Sequence, residues 1–397
     1  MQKKRVAVGL SGGVDSSVAA YLLKKEGYDV AGLFMKNWHD TTGTISGDCP
    51  WHDDLLFARL VAKKLDIPFH TTDLSEPYRR QVVDYMFSEY KKGRTPNPDI
   101  LCNREIKFSL FIEEALKIGA DFVATGHYCG KDKIHKNGKT IYRLLAGGDH
   151  EKDQSYFLCQ LTQKQLEKAI FPLADISKNQ VRELASQLGL ATADRKDSQG
   201  ICFVGKVDLP SFLQQKLEPR KGDIIEIPSS YYKNLSASQK LTPGEDCLKQ
   251  AVSPYSYTPS DGKKVGTHNG AWFYTVGQRK GLNVGGKKEP LFVIATDTEN
   301  NIVYTGQGHS HPGLNRRGLF VRKEEVHWLR EDLRLEEGHN GEFLVRIRYR
   351  QPLQKATMYM REDGLYIIFH NLQRGITAGQ FAAWYRDNEL LGSGVID

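Results

Sequence analysis

A short apolar run, Val6-Ala7-Val8-Gly9-Leu10, ends in Ser11-Gly12-Gly13-Val14-Asp15-Ser16-Ser17 and passes at once into Val18-Ala19-Ala20-Tyr21-Leu22-Leu23. A strand, a glycine turn, a hydroxyl cluster and a helix start therefore follow one another without a spacer. Such a junction forms a socket for an anion, because backbone N–H groups and the positive end of the helix dipole point into it. Gly12 and Gly13 let the backbone approach closely, and Ser11, Ser16 and Ser17 add hydroxyls. The residues that line the socket are Gly9, Leu10, Ser11, Gly12, Gly13, Val14, Asp15, Ser16 and Ser17. The run lacks G-x-x-x-x-G-K-[ST], so it is not a kinase-type P-loop.

The alternation continues. Strands are expected at 6–10, 30–35, 69–73 and 122–125, and helices at 16–26, 53–65, 76–92 and 107–117. This order predicts a doubly wound parallel sheet with ligands at the strand C-terminal ends. Met35 and Gly126 fall at two such ends. Helical spacing returns at 161–168 and 178–188, with Ser177 as N-cap of the second. Short strands and turns fill 220–288, and 229–262 reads as a polar surface insertion rich in Ser, Tyr and Pro. Residues 289–397 read as all-β, with hairpins around Glu299-Asn300-Asn301 and Asp363-Gly364. Three domains are expected: 1–212 α/β, 213–288 small and central, and 289–397 an antiparallel β-barrel.

Net charge is +7, and the basic excess lies in residues 1–288. That suits a polyanionic partner, though solvated surfaces carry such an excess too. No stretch is long and apolar enough to span a bilayer, and the first apolar run is too short for a signal peptide. A cytoplasmic protein is expected. Six scattered cysteines without a C-x-x-C pair exclude a disulfide scaffold and a zinc ribbon. Cys49-Pro50-Trp51-His52 with His39 is too thin a pattern for a metal site, and none is expected.

Two further segments carry chemistry. In Gly93-Arg94-Thr95-Pro96-Asn97-Pro98-Asp99-Ile100-Leu101-Cys102-Asn103, two prolines are expected to forbid a helix and to present Asp99 and Cys102 from a rigid turn. In Asp197-Ser198-Gln199-Gly200-Ile201-Cys202-Phe203 a cysteine follows a glycine-containing loop. Two loop cysteines beside an anion socket point to thiolate chemistry, with Arg104, Lys107, Arg195 and Lys196 near in sequence to lower a thiol pKa. Small buried hydrophobes, the commoner fate of cysteine, are the bland alternative.

The socket resembles the SGG-x-DS loop of the PP-loop ATP pyrophosphatases. From end to end the chain resembles the tRNA-specific 2-thiouridylases. The resemblance is carried by 9–17, Gly32 to Trp38, 93–103, Ala124-Thr125-Gly126-His127-Tyr128, Lys152 to Leu158, 196–203, Thr275 to Leu282 and Arg348-Tyr349-Arg350. It implies ATP held on 9–17 with Met35 and Gly126 at its border, and Mg²⁺ as counter-charge. It implies adenylation of the wobble uridine C2 oxygen, a Cys202 persulfide as sulfur carrier, Cys102 closing a disulfide with Cys202, and Asp99 as acid or base. As tRNA contacts it implies Asn97, Pro98, Asp99, His127, Lys152, Asp153, Gln154, Arg348, Tyr349 and Gln380. The implied partners are tRNA and a cysteine desulfurase or sulfur-relay protein, and a monomer is expected. Other PP-loop synthetases need neither cysteine. A non-catalytic RNA binder would not need the socket. An iron–sulfur cluster on Cys102 and Cys202 would alter only the sulfur route.

Overall fold

The computed structural model describes residues 3–38, 50–197, 208–232 and 245–397. Strands β1 (Arg5–Gly9), β2 (Asp29–Lys36), β3 (Phe69–Asp73) and β4 (Phe122–Ala124) are parallel. Hairpin strands β5 (Cys129–Lys136) and β6 (Lys139–Ala146) come next, and then β7 (Ala169–Ile170), which pairs parallel with β4. The parallel sheet has the order β3-β2-β1-β4-β7. From β1 the chain steps outward to β2 and β3, then crosses to β4 on the other side of β1. The crevice beyond the C-terminal ends of β1 and β4 is the switch point where such sheets bind ligands.

Alternation along β1 sends Val6 and Val8 to one face, against Val18, Leu23, Val61 and Val181. Ala7 goes to the other, with Leu33, Met35, Val123, Ile100 and Phe111. Both faces are thus covered by helices, as a doubly wound sheet requires. Helix Lys178–Gln187 has the expected Ser177 cap, with a complete capping box to Gln180.

The two-proline segment does not stay a turn. Helical segments Pro98–Leu101, Cys102–Leu110 and Phe111–Lys117 run end to end. Pro98 stands at the first helical position, where its missing N–H costs nothing, and Asn97 caps the helix by accepting from the Ile100 N–H at 3.3 Å. The middle segment is π-helical, with Phe108 off helical geometry at φ −117° and ψ 15°.

Strands β8 (Gly222–Glu226), β9 (Lys263–His268), β10 (Leu291–Asp297) and β11 (Ile302–Gln307) form a second sheet of order β10-β11-β8-β9. The hairpin at Asn300-Asn301 is as expected, but it pairs with β8 and not with the strands that follow it. Those are β12 (Asn315–Arg322), β13 (Val326–Trp328), β14 (Asn340–Arg346), β15 (Gln354–Met360), β16 (Gly364–Arg374), β17 (Phe381–Arg386) and β18 (Glu389–Val395). They form one antiparallel sheet, which β5 and β6 join through β18. Strand β14 ends at Arg346, so Arg348 and Arg350, which alternate with it in sequence, do not extend it into a basic strand face. Arg346 is buried, and Arg350 turns the chain at φ +62°. The flanks of the 229–262 insertion are ordered around Tyr231, Tyr232, Tyr255 and Tyr257, and residues 233–244 lie outside the described chain. Among the described residues no helix is long and apolar enough to cross a membrane.

Candidate functional site

The socket forms at the end of β1. Helix Val14–Lys25 starts two residues earlier than expected, with Gly13 as its N-cap. Ser16 and Ser17 donate to the Gly13 carbonyl at 3.1 and 2.8 Å, and Ser16 Oγ accepts from the Ser11 N–H at 3.2 Å. Thr192 Oγ1 donates to Ser17 Oγ at 3.0 Å from the far side. These bonds hold the loop open, with the helix N-terminus facing the crevice. Gly12 sits at φ +75°, and a Cβ there would lie 2.4 Å from the Asp54 carbonyl oxygen. A Cβ on Gly126 would lie 2.8 Å from the backbone of Asp15 and Ser16. The loop after β4 therefore closes directly on the socket, and only glycine permits it. Met35, from β2, is buried within the same wall and reaches toward Gly9.

Asp15 is the hub of a charge cluster. Lys178 Nζ donates to its two oxygens at 2.7 and 2.8 Å, and Tyr128 Oη donates at 2.6 Å. Burial, and then the Asp15 charge, push the Tyr128 hydroxyl well above its ordinary range, so it stays a donor. The same lysine, only 8% exposed, is 2.7 Å from Asp197. Lys152 and Arg182 also donate to Asp197, at 3.0 and 2.9 Å. Burial pushes the Asp197 carboxyl up, but the bonds from Lys178 and Lys152 outweigh this and hold it at about 2. Arg195 donates to the Gly12 carbonyl at 2.8 Å and pairs with Asp54 at 2.9 Å. Lys178 was visible in the sequence only as a helix residue. A lysine at the first position of a helix opposes the dipole, and that oddity marks it as held by something else.

Asp99 and Cys102 lie on the first turns of the 98–117 helical run. The run packs Phe111 against Gly9 and leads back into β4. Its start therefore sits at the same edge of the sheet as the socket. Cys102 is fully buried in the core on that face, while Asp99 is half-buried. Asn97 Nδ2 donates to Gln380 Oε1 at 3.3 Å, and Gln380 Nε2 donates to the Thr95 and Pro96 carbonyls at 3.0 and 3.3 Å. The structure thus joins Asn97 and Gln380, which are far apart in sequence.

The remaining expected contacts divide. Lys152 is partly exposed beside Asp197, and Arg348 is exposed with Nη2 on the Arg374 carbonyl. The Tyr349 ring stands 4.6 Å from that of Phe157. Three others face inward. Asp153 is 4% exposed, accepts from Gly147 and Ser155 N–H groups and lies 3.0 Å from Arg346. That last contact is an ion pair without hydrogen-bond geometry. Gln154 clamps the Tyr128 backbone on both sides. His127 packs between Phe108 and Phe171, with Nδ1 at 2.7 Å from Thr125 Oγ1. Burial, and then Lys107, hold it well below its usual pKa, so it is neutral. Asn37, just after β2, is 1% exposed, and neither of its amide atoms has a hydrogen-bond partner among the described residues. Cys202, with Ser198 to Phe203, and the Cys49 and His39 of the thin metal pattern lie outside the described residues.

Residues 4–206 match the family model described as tRNA methyl transferase HUP domain. Residues 252–307 match its PRC-barrel domain and 319–396 an aminomethyltransferase beta-barrel domain. A tRNA-specific 2-thiouridylase MnmA from Flavobacterium johnsoniae is 59% identical over 396 residues, covering 99% of this chain and 100% of the relative. The enzyme of the same name from Christiangramia forsetii is 58% identical, with 99% and 100% covered. That from Karelsulcia muelleri is 46% identical, with 100% and 99% covered. Matched along its whole length at this identity, the chain belongs to the tRNA-specific 2-thiouridylase family.

Proposed function

We propose that this chain thiolates C2 of the wobble uridine of tRNA at the cost of ATP. The observation that carries the reading is the closure of Gly126 on Asp15 and Ser16 at the switch point of the sheet. The socket supplies backbone N–H donors and a helix N-terminus for phosphates, and glycine at 12 and 126 lets the loop close on Asp54, Asp15 and Ser16 without a clash. Asp15 would hold a Mg²⁺ ion together with phosphate oxygens and water in exchange for its bonds from Lys178, and the ion would supply counter-charge to the phosphates.

In the proposed reaction the uridine C2 oxygen attacks the α-phosphorus of ATP, and pyrophosphate leaves. The terminal sulfur of a Cys202 persulfide then attacks C2, and AMP leaves with the former oxygen. Cys102 thiolate attacks Cys202 Sγ, the S–S bond breaks, 2-thiouridine departs and a Cys102–Cys202 disulfide remains for an external thiol to reduce. In the variant route Cys102 first frees hydrosulfide, which attacks C2. Asp99 serves as acid or base beside the uridine. Because Cys102 is buried, its attack requires the start of the 98–117 helical run to shift when tRNA binds. The π-helical stretch after Cys102 is a natural place for such movement. Purified protein with ATP, Mg²⁺ and unmodified tRNA is expected to release AMP only when the tRNA is present. AMP release independent of tRNA, or none with tRNA and a sulfur donor present, would refute the reading.

A further inference from the structure

Both side chains that donate to the Asp15 carboxylate among the described residues trace back to one turn, Lys152-Asp153-Gln154. Gln154 accepts from the Tyr128 N–H at 3.0 Å and donates to the Tyr128 carbonyl at 2.9 Å. This clamp fixes the Tyr128 backbone and keeps its hydroxyl on Asp15 at 2.6 Å. The other donor, Lys178, is shared. Its ammonium lies 2.7 Å from Asp15 and 2.7 Å from Asp197, so two carboxylates hold one cation. The Lys178 N–H donates to Asp149 Oδ2 at 3.1 Å, so the backbone is pinned and the side chain alone can change partner. Asp197 also takes a bond from Arg182 at 2.9 Å and, on its other oxygen, one from Lys152 at 3.0 Å. The chain of pairs therefore runs from Lys152, whose side chain is 28% exposed, through Asp197 and Lys178 to Asp15 at the socket.

We propose that Asp197 is a positioning residue for the reaction: when RNA takes Lys152, Asp197 draws Lys178 off Asp15 and leaves that carboxylate free for Mg²⁺. The inference rests on the reading of the chain as an ATP-dependent tRNA enzyme. An ammonium between two carboxylates leans toward the one that has fewer other cations. With Lys152 in place, Asp197 is met by three cations, and Lys178 serves Asp15. An RNA phosphate competes for Lys152, which is one of the tRNA contacts that the family resemblance implies. The positive charge lost to Asp197 is then made up by Lys178, while Tyr128 stays on Asp15. Only ion pairs change, and no covalent step is involved. Because the two events share one cation, RNA and the metal–nucleotide raise each other's affinity by the same factor. The arrangement gives a physical route to AMP release that waits for tRNA.

The test is a Mg²⁺ titration of the binding of α,β-methylene ATP, which cannot be split between the α and β phosphates, read by equilibrium dialysis. The full chain is compared with Lys152→Ala, Lys152→Arg and Asp197→Asn, without tRNA and with saturating unmodified tRNA. Without tRNA, Lys152→Ala is expected to need about fivefold less Mg²⁺ than the wild type for half-saturation, because Asp197 already draws Lys178 away. Asp197→Asn is expected to need about fivefold more, because Lys178 then stays on Asp15. Added tRNA is expected to lower the requirement of the wild type and of Lys152→Arg, and to leave Lys152→Ala and Asp197→Asn unmoved. A cluster that serves only packing would weaken binding in both variants. Shifts of the same sign, no shift in either, or a tRNA effect that survives in Asp197→Asn would overturn the proposal. Lys152→Ala keeps the test open should Asp197→Asn fail to fold, since a raised or unchanged Mg²⁺ requirement there overturns it too. A wild type that binds neither the analogue nor tRNA would overturn the proposed function, and this inference with it.

Discussion

Single atoms decide the geometry of the phosphate socket. At Gly126 a methyl would strike the backbone of Asp15 and Ser16 at 2.8 Å, and backbone cannot swing aside as a side-chain tip can. Gly126→Ala is therefore expected to keep the fold and to weaken ATP binding at least about tenfold through a displaced loop. Calorimetric titration with ATP would show it, and unchanged affinity would mean the loop does not hold the phosphates. Asp197 gives a prediction with a sign. Its carboxyl titrates near 2 when folded, against an unfolded value near 4, so it contributes stability above about pH 4 that is lost as pH falls through about 2. The stability gap between wild type and Asp197→Asn is expected to close over that window in acid denaturant titrations. A gap that persists at pH 2 would show that the cluster acts by packing and not by charge. The socket residues could be read from the chain, because a glycine turn between strand and helix is local. The cluster of Lys178, Asp197 and Tyr128 could not, because its members meet only through the fold.

At the scale of elements, local chemistry is ambiguous at 93–103 and plain at 137–138. Two prolines suggested a turn at 93–103, yet a proline at the first helical position starts a helix, and Asn97 was the cap that said so. The hairpin β5–β6 carries Asn137-Gly138 at φ +50° and +74°, the strongest two-residue hairpin signal, set between the parallel strands β4 and β7. Gly138→Ala is expected to cost about 1 kcal/mol, the usual penalty for forcing an L-residue into the left-handed region. Equilibrium denaturation measures it, and no loss would mean that the turn rearranges freely. The hairpins at Asn300-Asn301 and Asp363-Gly364 followed from the same chemistry and stand where expected.

At the scale of the whole molecule, the sequence blocks and the sheets do not coincide. Hairpin β5–β6 leaves the parallel sheet to pair with β18, and the Arg346–Asp153 pair ties the C-terminal sheet to the turn after β6. Gln380 and Thr95 bind the same sheet to the loop before Asp99. The proposed reaction centre is thus held from both ends of the chain, and no periodicity in one segment announces such a contact. The most direct test is mass spectrometry of the wobble uridine after incubating the protein with ATP, Mg²⁺, unmodified tRNA and a sulfide source. Wild type is compared with Cys102→Ser and Cys202→Ser. The account predicts 2-thiouridine from the wild type and none from either variant, whereas thiolation by both variants would contradict a persulfide-and-disulfide route through these two cysteines.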